Sequence, residues 1–222
     1  VAADQHDIAF LHTSPAHVPT FTKLMQETAP ALRVAHVVHE ELLLEAQRDG
    51  IEGASLIERI RQAMKEAGAG GASVVVCTCS TIGGVAEAMN TGGAFSATRV
   101  DRAMADAAVR SGKPILLVAA VESTLRPTTA LLQSSAKRLA KTIRIEALLA
   151  QDAWPHFLAG DQTQYLKTIV EAVAKANAAS KTVVLSQASM APAADALATM
   201  GIAALSSPKL GVEHAVALLK AA

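Results

Sequence analysis

Two cysteines are the strongest nucleophiles this chain possesses, and they stand one residue apart in Val74-Val75-Val76-Cys77-Thr78-Cys79-Ser80-Thr81-Ile82-Gly83-Gly84. An apolar β-branched run ending in hydroxyl residues and glycines reads as a buried strand turning into a helix. Side chains alternate along a strand, so Cys77 and Cys79 share a face, with Cys79 at the strand's end. Cys77 reads as a small buried hydrophobe. Ser80 and Thr81 are favourable N-cap residues, and their hydroxyls together with the free N–H groups of a helix start would cradle an anion. A thiol at a helix N-terminus has its thiolate favoured by the dipole, which makes Cys79 the candidate reactive centre. Reading Cys-x-Cys as a metal site requires further ligands at matched spacing, and the sequence offers none.

Histidines supply the other titratable candidates. His12 follows the apolar run Ile8–Leu11, and an imidazole there could act as general acid or base or simply bond the backbone at the strand end. His36 and His39 belong to a second apolar run, three residues apart and so on opposite faces. His39, at the run's end beside Glu40, reads as a solvated polar residue that could also reach a cleft. His6, His156 and His214 read as surface residues, and Trp154, Phe157 and Tyr165 as helix packing.

The elements that must position these groups alternate along the whole chain. Strand-like runs occur at Ile8–Leu11, Val34–Val38, Val74–Cys77, Ile115–Val118, Ile143–Leu149, Val183–Leu185 and Ile202–Leu205. Amphipathic helical stretches lie between them, among them Ala54–Glu66, Val85–Met89, Val100–Val109 and Tyr165–Asn177. Apolar runs without alternation suit strands covered on both faces, so the expected class is α/β with parallel sheets. An internal repeat supports this reading. At a constant offset of 108 residues Ile8 meets Leu116, Pro19-Thr20 meets Pro127-Thr128, and Val34–Val38 meets Thr142–Glu146. Val75-Val76 then falls on Val183-Val184, and Glu87-Ala88-Met89 on Asp195-Ala196-Leu197. A duplicated βα unit predicts two lobes, residues 1–97 plus 207–222 and residues 98–206, with an active site in the cleft between them. The helices at Val100–Val109 and Gly211–Leu219 would be the crossovers.

With these motifs in place, the chain resembles the cofactor-independent aspartate/glutamate/hydantoin racemase superfamily. Cys79-Ser80-Thr81 after a Val-rich strand is similar to that superfamily's first catalytic-cysteine motif. Val183-Val184-Leu185-Ser186-Gln187-Ala188-Ser189-Met190-Ala191 is similar to the second, most like the hydantoin branch, with Gln187 where the second cysteine stands. The resemblance implies two flavodoxin-like lobes related by pseudo-twofold symmetry, and a homodimer or larger assembly. It also implies substrate contacts from Thr13, Ser14, Ser80, Thr81, Ser123, Thr124, Ala188 and Ser189, with Cys79, Gln187 and His12 as the catalytic candidates. In the superfamily two thiols flank the substrate's α-carbon. An amide cannot exchange a proton near neutral pH, though Gln187 can donate a hydrogen bond to a carboxylate or an enolate-like oxygen. Symmetric two-thiol racemisation is therefore not expected. The implied function is a racemase or isomerase of small carboxylates, amino acids or hydantoin-like rings, with Cys79 as base or nucleophile. The alternatives are a one-thiol lyase resembling the decarboxylases, and a non-catalytic small-carboxylate binding protein.

Bulk properties narrow the partners. Twenty basic residues balance twenty acidic ones without a basic run, which gives no electrostatic support for binding nucleic acid or a membrane surface. The apolar stretches fall short of the ~18 residues of a membrane span, and no basic-then-apolar signal segment opens the chain. Two cysteines one residue apart cannot staple a fold, which fits a reducing cytoplasm. Gly83-Gly84 lacks dinucleotide-fingerprint spacing, and no phosphate-loop lysine follows. No cofactor and no metal are expected, and the partner is a small carboxylate.

Overall fold

A computed structural model describes residues 5–176 and 178–221; Asn177, the expected end of the helix beginning at Tyr165, lies outside the described residues. The chain divides into two compact units. One comprises the described residues up to Asp101 and from Pro208 onward, and the other is Arg102–Ser207.

The first unit holds β1 (Ile8–His12), α1 (Val18–Thr28), β2 (Val34–Val38), α2 (Glu40–Asp49), α3 (Ala54–Gly68), β3 (Val74–Cys77), α4 (Gly83–Glu87) and β4 (Ser96–Arg99). Its four strands are all parallel, in the order β2-β1-β3-β4. The central strands β1 and β3 are wholly buried, as their unbroken apolar character requires. Ala9, Leu11, Val75, Cys77 and Cys79 face α2, α3 and α4 in one core. On the other face Phe10 packs against Phe21 of α1 with the rings tilted and their centroids 5.2 Å apart. Phe21 and Met25 are the buried stripe of α1, and burying each side chain contributes about 1.5–3 kcal/mol.

The second unit repeats this plan with α5 (Arg102–Arg110), β5 (Ile115–Ala119), α6 (Leu125–Arg138), β6 (Ile145–Leu149), α7 (Trp154–Leu158), α8 (Gln162–Lys175), β7 (Thr182–Leu185), α9 (Ala193–Thr199) and β8 (Ala204–Ser206). The strand order is β6-β5-β7-β8, again all parallel. Tyr165, Ile169 and Val173 of α8 pack with Leu197 of α9 against Leu116, Val118, Val183 and Leu185. Helix α10 (Ser207–Ala221) follows β8 in sequence yet belongs to the first unit, where Gly211 lies against Val100.

Three features differ from the sequence expectation. The repeat offset is 108 at the third strands (Val74 to Thr182) but 111 at the second (Val34 to Ile145). Helix α6 has 14 residues where α1 has 11, most of an extra turn, and β6 therefore starts at Ile145 rather than Ile143. The strand β4, Ser-Ala-Thr-Arg, has no apolar pattern to announce it because it is a sheet edge. Finally, α4 starts at Gly83, and its N-cap position is taken by Ile82 rather than by Ser80 or Thr81.

Candidate active site

Cys79 lies two residues past the end of β3, at 7% exposure, while Cys77 is fully buried. The Cys77 thiol donates to the Cys79 carbonyl at 3.7 Å, and burial pushes its pKa upward, with Cys79 close by adding to the effect. Cys77 is thus a core residue that tethers the backbone of its neighbour. Ser80 and Thr81, both buried, continue the turn between Cys79 and α4.

That turn is held by Arg99 and Asp101, which the sequence reading passed over. Arg99 ends β4 beside Cys77 and is 3% exposed, and Asp101 is completely buried. Arg99 Nε donates to Asp101 Oδ1 at 2.5 Å, and Nη2 donates to Asp101 Oδ2 at 2.9 Å and to the Ser80 carbonyl at 3.0 Å. Burial works against the guanidinium's charge, but Asp101 outweighs it and the Arg99 pKa ends raised. With the Ser80 carbonyl committed to Arg99, the first turn of α4 is accepted by Ile82 instead, whose carbonyl receives the Val85 and Ala86 N–H groups. Gly83 is where Arg99 passes closest. A Cβ there would come 3.1 Å from Arg99 Cβ and 3.2 Å from Nε. The signal in the sequence was a lone Arg-x-Asp in a polar segment, too weak to single out.

His12 sits at the end of β1 with no exposed surface, and both ring nitrogens are engaged. Thr78 Oγ donates to the Leu11 carbonyl at 3.2 Å, so His12 Nδ1–H donates to Thr78 Oγ at 2.9 Å. His12 Nε2 then accepts from His36 Nδ1–H at 2.9 Å. His36 Nε2 is 3.0 Å from Thr22 Oγ, whose single proton must serve either that nitrogen or the Val18 carbonyl at 2.9 Å. Burial, with the neighbouring His36 and His17, pushes the His12 pKa down to about 3, and burial lowers that of His36. The strand register pairs Leu11 with Cys77, so His12 and Thr78 lie on the sheet face opposite Cys77 and Cys79. The structure brings His12 to Thr78 and His36, not to the thiol. Thr13 is buried beside it, and Ser14 Oγ accepts from the Ala16 N–H at 3.4 Å. His39 stays in the solvated surface, paired with Glu41 at 2.7 Å and Glu66 at 3.4 Å. His17 carries no signal in the sequence pattern that would mark it. Both of its ring nitrogens are buried and lack a hydrogen-bond partner among the described residues, and burial pushes its pKa down to about 4.

In the second unit Gln187 follows β7 as Cys79 follows β3. Its Oε1 accepts from the Ala120 N–H at 2.7 Å and the Val121 N–H at 3.3 Å, which fixes the amide with its NH2 turned away from them. Ala188 is buried next to it. Ser189 Oγ is 2.7 Å from the Tyr165 hydroxyl, and burial pushes that phenol up to about 12 against the opposing effect of the serine bond. Tyr165 thus packs as expected and also fixes Ser189. Thr124 is buried at the turn before α6, and beside it Ser123 Oγ is buried without a partner among the described residues. An unpaired buried polar group costs about 1–3 kcal/mol.

No family model matches the chain, and no curated protein matches it. Solved structures do. The aspartate racemase of Picrophilus torridus superposes with a TM-score of 0.70, covering 96% of this chain and 94% of that one at 13% identity. The glutamate racemase of Francisella tularensis, solved in complex with D-glutamate, gives 0.70 over 98% and 82% of the two chains at 13% identity. The allantoin racemase of Pseudomonas fluorescens gives 0.62 over 97% and 91%, also at 13% identity. This chain has the racemase fold. Among the described residues, no helix is long and apolar enough to cross a membrane, and no group of three or more His, Cys, Asp or Glu side chains is placed to hold a metal ion.

Proposed function

We propose that this chain is a cofactor-independent racemase- or isomerase-like enzyme acting on a small carboxylate, amino acid or hydantoin-like substrate, with Cys79 as base or nucleophile. The observation carrying this reading is the thiol itself: Cys79 stands in the turn after the third strand of a racemase fold, tethered from both sides by Cys77 and by Arg99 through Ser80. Thiolate chemistry at the substrate's α-carbon or double bond requires that the sulfur be held in place, and both tethers act on its own backbone neighbourhood. His12 serves this reading as a positioning residue through Thr78, since both of its nitrogens are occupied. Gln187 contributes a fixed donor rather than a proton exchanger. That asymmetry favours, as the second reading, a one-thiol lyase in which Cys79 protonates one face after decarboxylation. The reading also includes a homo-oligomer in a reducing cytoplasm.

The test is incubation with amino acids, hydantoins, maleate and arylmalonates in deuterium oxide, comparing the parent chain with Cys79→Ser and Cys77→Ala. We expect α-deuteration, isomerisation or carbon dioxide release from one substrate class, lost in Cys79→Ser and retained in Cys77→Ala. Single-face deuterium incorporation with carbon dioxide would mark the lyase. Turnover indifferent to Cys79→Ser, or none across the panel, sinks the enzymatic reading.

A further inference from the structure

The first unit carries a second concave feature, away from the turn that bears Cys79. A cleft of about 630 Å³ runs along β4, walled by Glu87 at the end of α4 and by His214 and Leu218, one turn apart on α10. Clefts of roughly 300–1,000 Å³ are the size that takes small molecules. Among the described residues lining it are Ser73 and Ser96, at the N-terminal ends of β3 and β4, whereas Cys79 lies past the C-terminal end of β3.

What the cleft offers is set first by the sheet edge. Strand β4 is last in the order β2-β1-β3-β4, so one of its sides is unpaired. The Ser96 and Val100 N–H groups donate to the Ser73 and Cys77 carbonyls at 2.8 and 2.9 Å, which turns alternate residues of β4 toward β3. In a parallel ladder the residues between them point their N–H and C=O the other way. Ala97, in the body of β4 and lining the cleft, therefore presents one donor and one acceptor on the unpaired side of the sheet. The complement of that pair is another amide group.

Side chains add charge and apolar surface. Among the described lining residues Glu87 is the one acid, His214 the other titratable group, and no Lys or Arg is present, so the cleft favours a cation over an anion. Arg99, whose pKa Glu87 helps to raise, is committed to Asp101 and the Ser80 carbonyl. Phe95 and Leu218 supply apolar area. The Phe95 ring is seated against Gly68, where a Cβ would come 2.8 Å from its Cδ1, so that wall is fixed.

We propose that this cleft is a second binding site, for a short peptide-like molecule bearing a free amine. Its amide pairs with Ala97, its ammonium faces Glu87, and an apolar side chain meets Phe95 and Leu218. Such a ligand spans α4 and β4. The turn before α4 holds Cys79, and β4 ends in Arg99, which grips the Ser80 carbonyl, so occupancy is transmitted to the thiol. The site stands whether or not Cys79 is catalytic.

Amide exchange and a titration test it. In the free protein the Ala97 N–H should exchange with deuterium at least about tenfold faster than the Thr98 N–H, which points to β3. Leucyl-leucinamide should protect the Ala97 N–H saturably, with half-saturation below about 1 mM. Glu87→Gln should weaken that binding about tenfold, the loss of one charged contact, and N-acetyl-leucyl-leucinamide should bind the parent chain equally weakly. Ala97→Pro, which removes the outward N–H at an edge position that tolerates proline, should weaken binding about tenfold as read from the Phe95 and Leu218 signals. Saturating leucyl-leucinamide should also slow iodoacetamide alkylation of Cys79 about fivefold. An Ala97 N–H as slow as that of Thr98 in the free protein, no saturable protection, or equal binding to the parent chain and Glu87→Gln overturns the proposal. Protection of Ala97 with an unchanged alkylation rate upholds the site and overturns its link to the thiol.

Discussion

Replacing Asp101 with Asn tests whether the buried ion pair is what holds the turn bearing Cys79. The pair is almost free of solvent, with Arg99 at 3% exposure and Asp101 at 0%, and its two N–H···O contacts measure 2.5 and 2.9 Å. The amide introduced by Asp101→Asn could accept one of those hydrogen bonds but would leave the guanidinium without a counter-charge. Breaking one side of a buried pair costs about 3–5 kcal/mol. With a urea slope of roughly 2 kcal/mol per M, the first unit's unfolding midpoint should fall by about 2 M. The chain provides separate reporters. Both cysteines lie in the first unit, whereas the single Trp and the single Tyr, Trp154 and Tyr165, lie in the second. Pulsed thiol labelling across a urea series therefore follows the first unit, and Trp154 fluorescence the second. In native buffer Asp101→Asn should also raise the Cys79 alkylation rate, because Arg99 loosens its hold on the Ser80 carbonyl. A thiol-labelling midpoint displaced by less than about 0.5 M would show that the pair is not the turn's support.

Other perturbations follow from the same contacts. Gly211→Ala places a Cβ against both Val100 Cγ2 and the Val100 carbonyl oxygen, far inside contact distance, so the ~1 kcal/mol gain in helix propensity should be outweighed and thiol-labelling midpoints should drop. Gln187→Ala strips the acceptor from the Ala120 and Val121 N–H groups and should cost about 1–3 kcal/mol in the Trp154-monitored transition, without changing the Cys79 alkylation rate. Acid should destabilise the first unit. His12 and His17 have folded pKa values of about 3 and about 4, below an unfolded value near 6.5, so the unfolded chain binds more protons between them and stability falls as pH drops through that window. Each group contributes a slope of up to ~1.4 kcal/mol per pH unit, and thiol-labelling midpoints at pH 7, 6 and 5 would read it; a flat profile contradicts the buried neutral state.

What the sequence made legible was whatever depends on a run of neighbours. The strands Val74–Cys77 and Val34–Val38 begin and end where their β-branched runs do, because the run itself is what packs between helices. Polar edges were not legible: Ser96–Arg99 pairs with β3 through its backbone, and its composition carries no trace of that. The gapless repeat also misled at one point. Helix α6 gains most of a turn over α1, and the segment between β6 and β7 gives the residues back, so the offset agrees at the third strands and conceals the displaced second one. Side-chain partnerships across long sequence separations were the least accessible. Thr78 and His12 are 66 residues apart, and the Ser80 carbonyl meets Arg99 19 residues on. Neither pairing follows from spacing, because each depends on which strand lies beside which.

The two units resolve the same position in opposite ways, and that difference bears on which of them does the chemistry. Gln187 turns its carbonyl inward and uses it to satisfy the N–H groups of Ala120 and Val121 at the end of β5. Those backbone donors, pointed at the mouth of the strands, are the kind that bind an anion, and here the protein supplies its own acceptor. A thiol is a poor acceptor, so Cys79 cannot close the turn after β1 in the same manner. That turn instead ends in His17, a side chain whose two nitrogens are unpartnered among the described residues. At this position the first unit thus presents a thiol, while the second presents a locked amide whose NH2 can only donate. A duplicated fold with equal halves would carry the same group in each; this one has a thiol, Cys79, in the first unit and a fixed donor, Gln187, in the second.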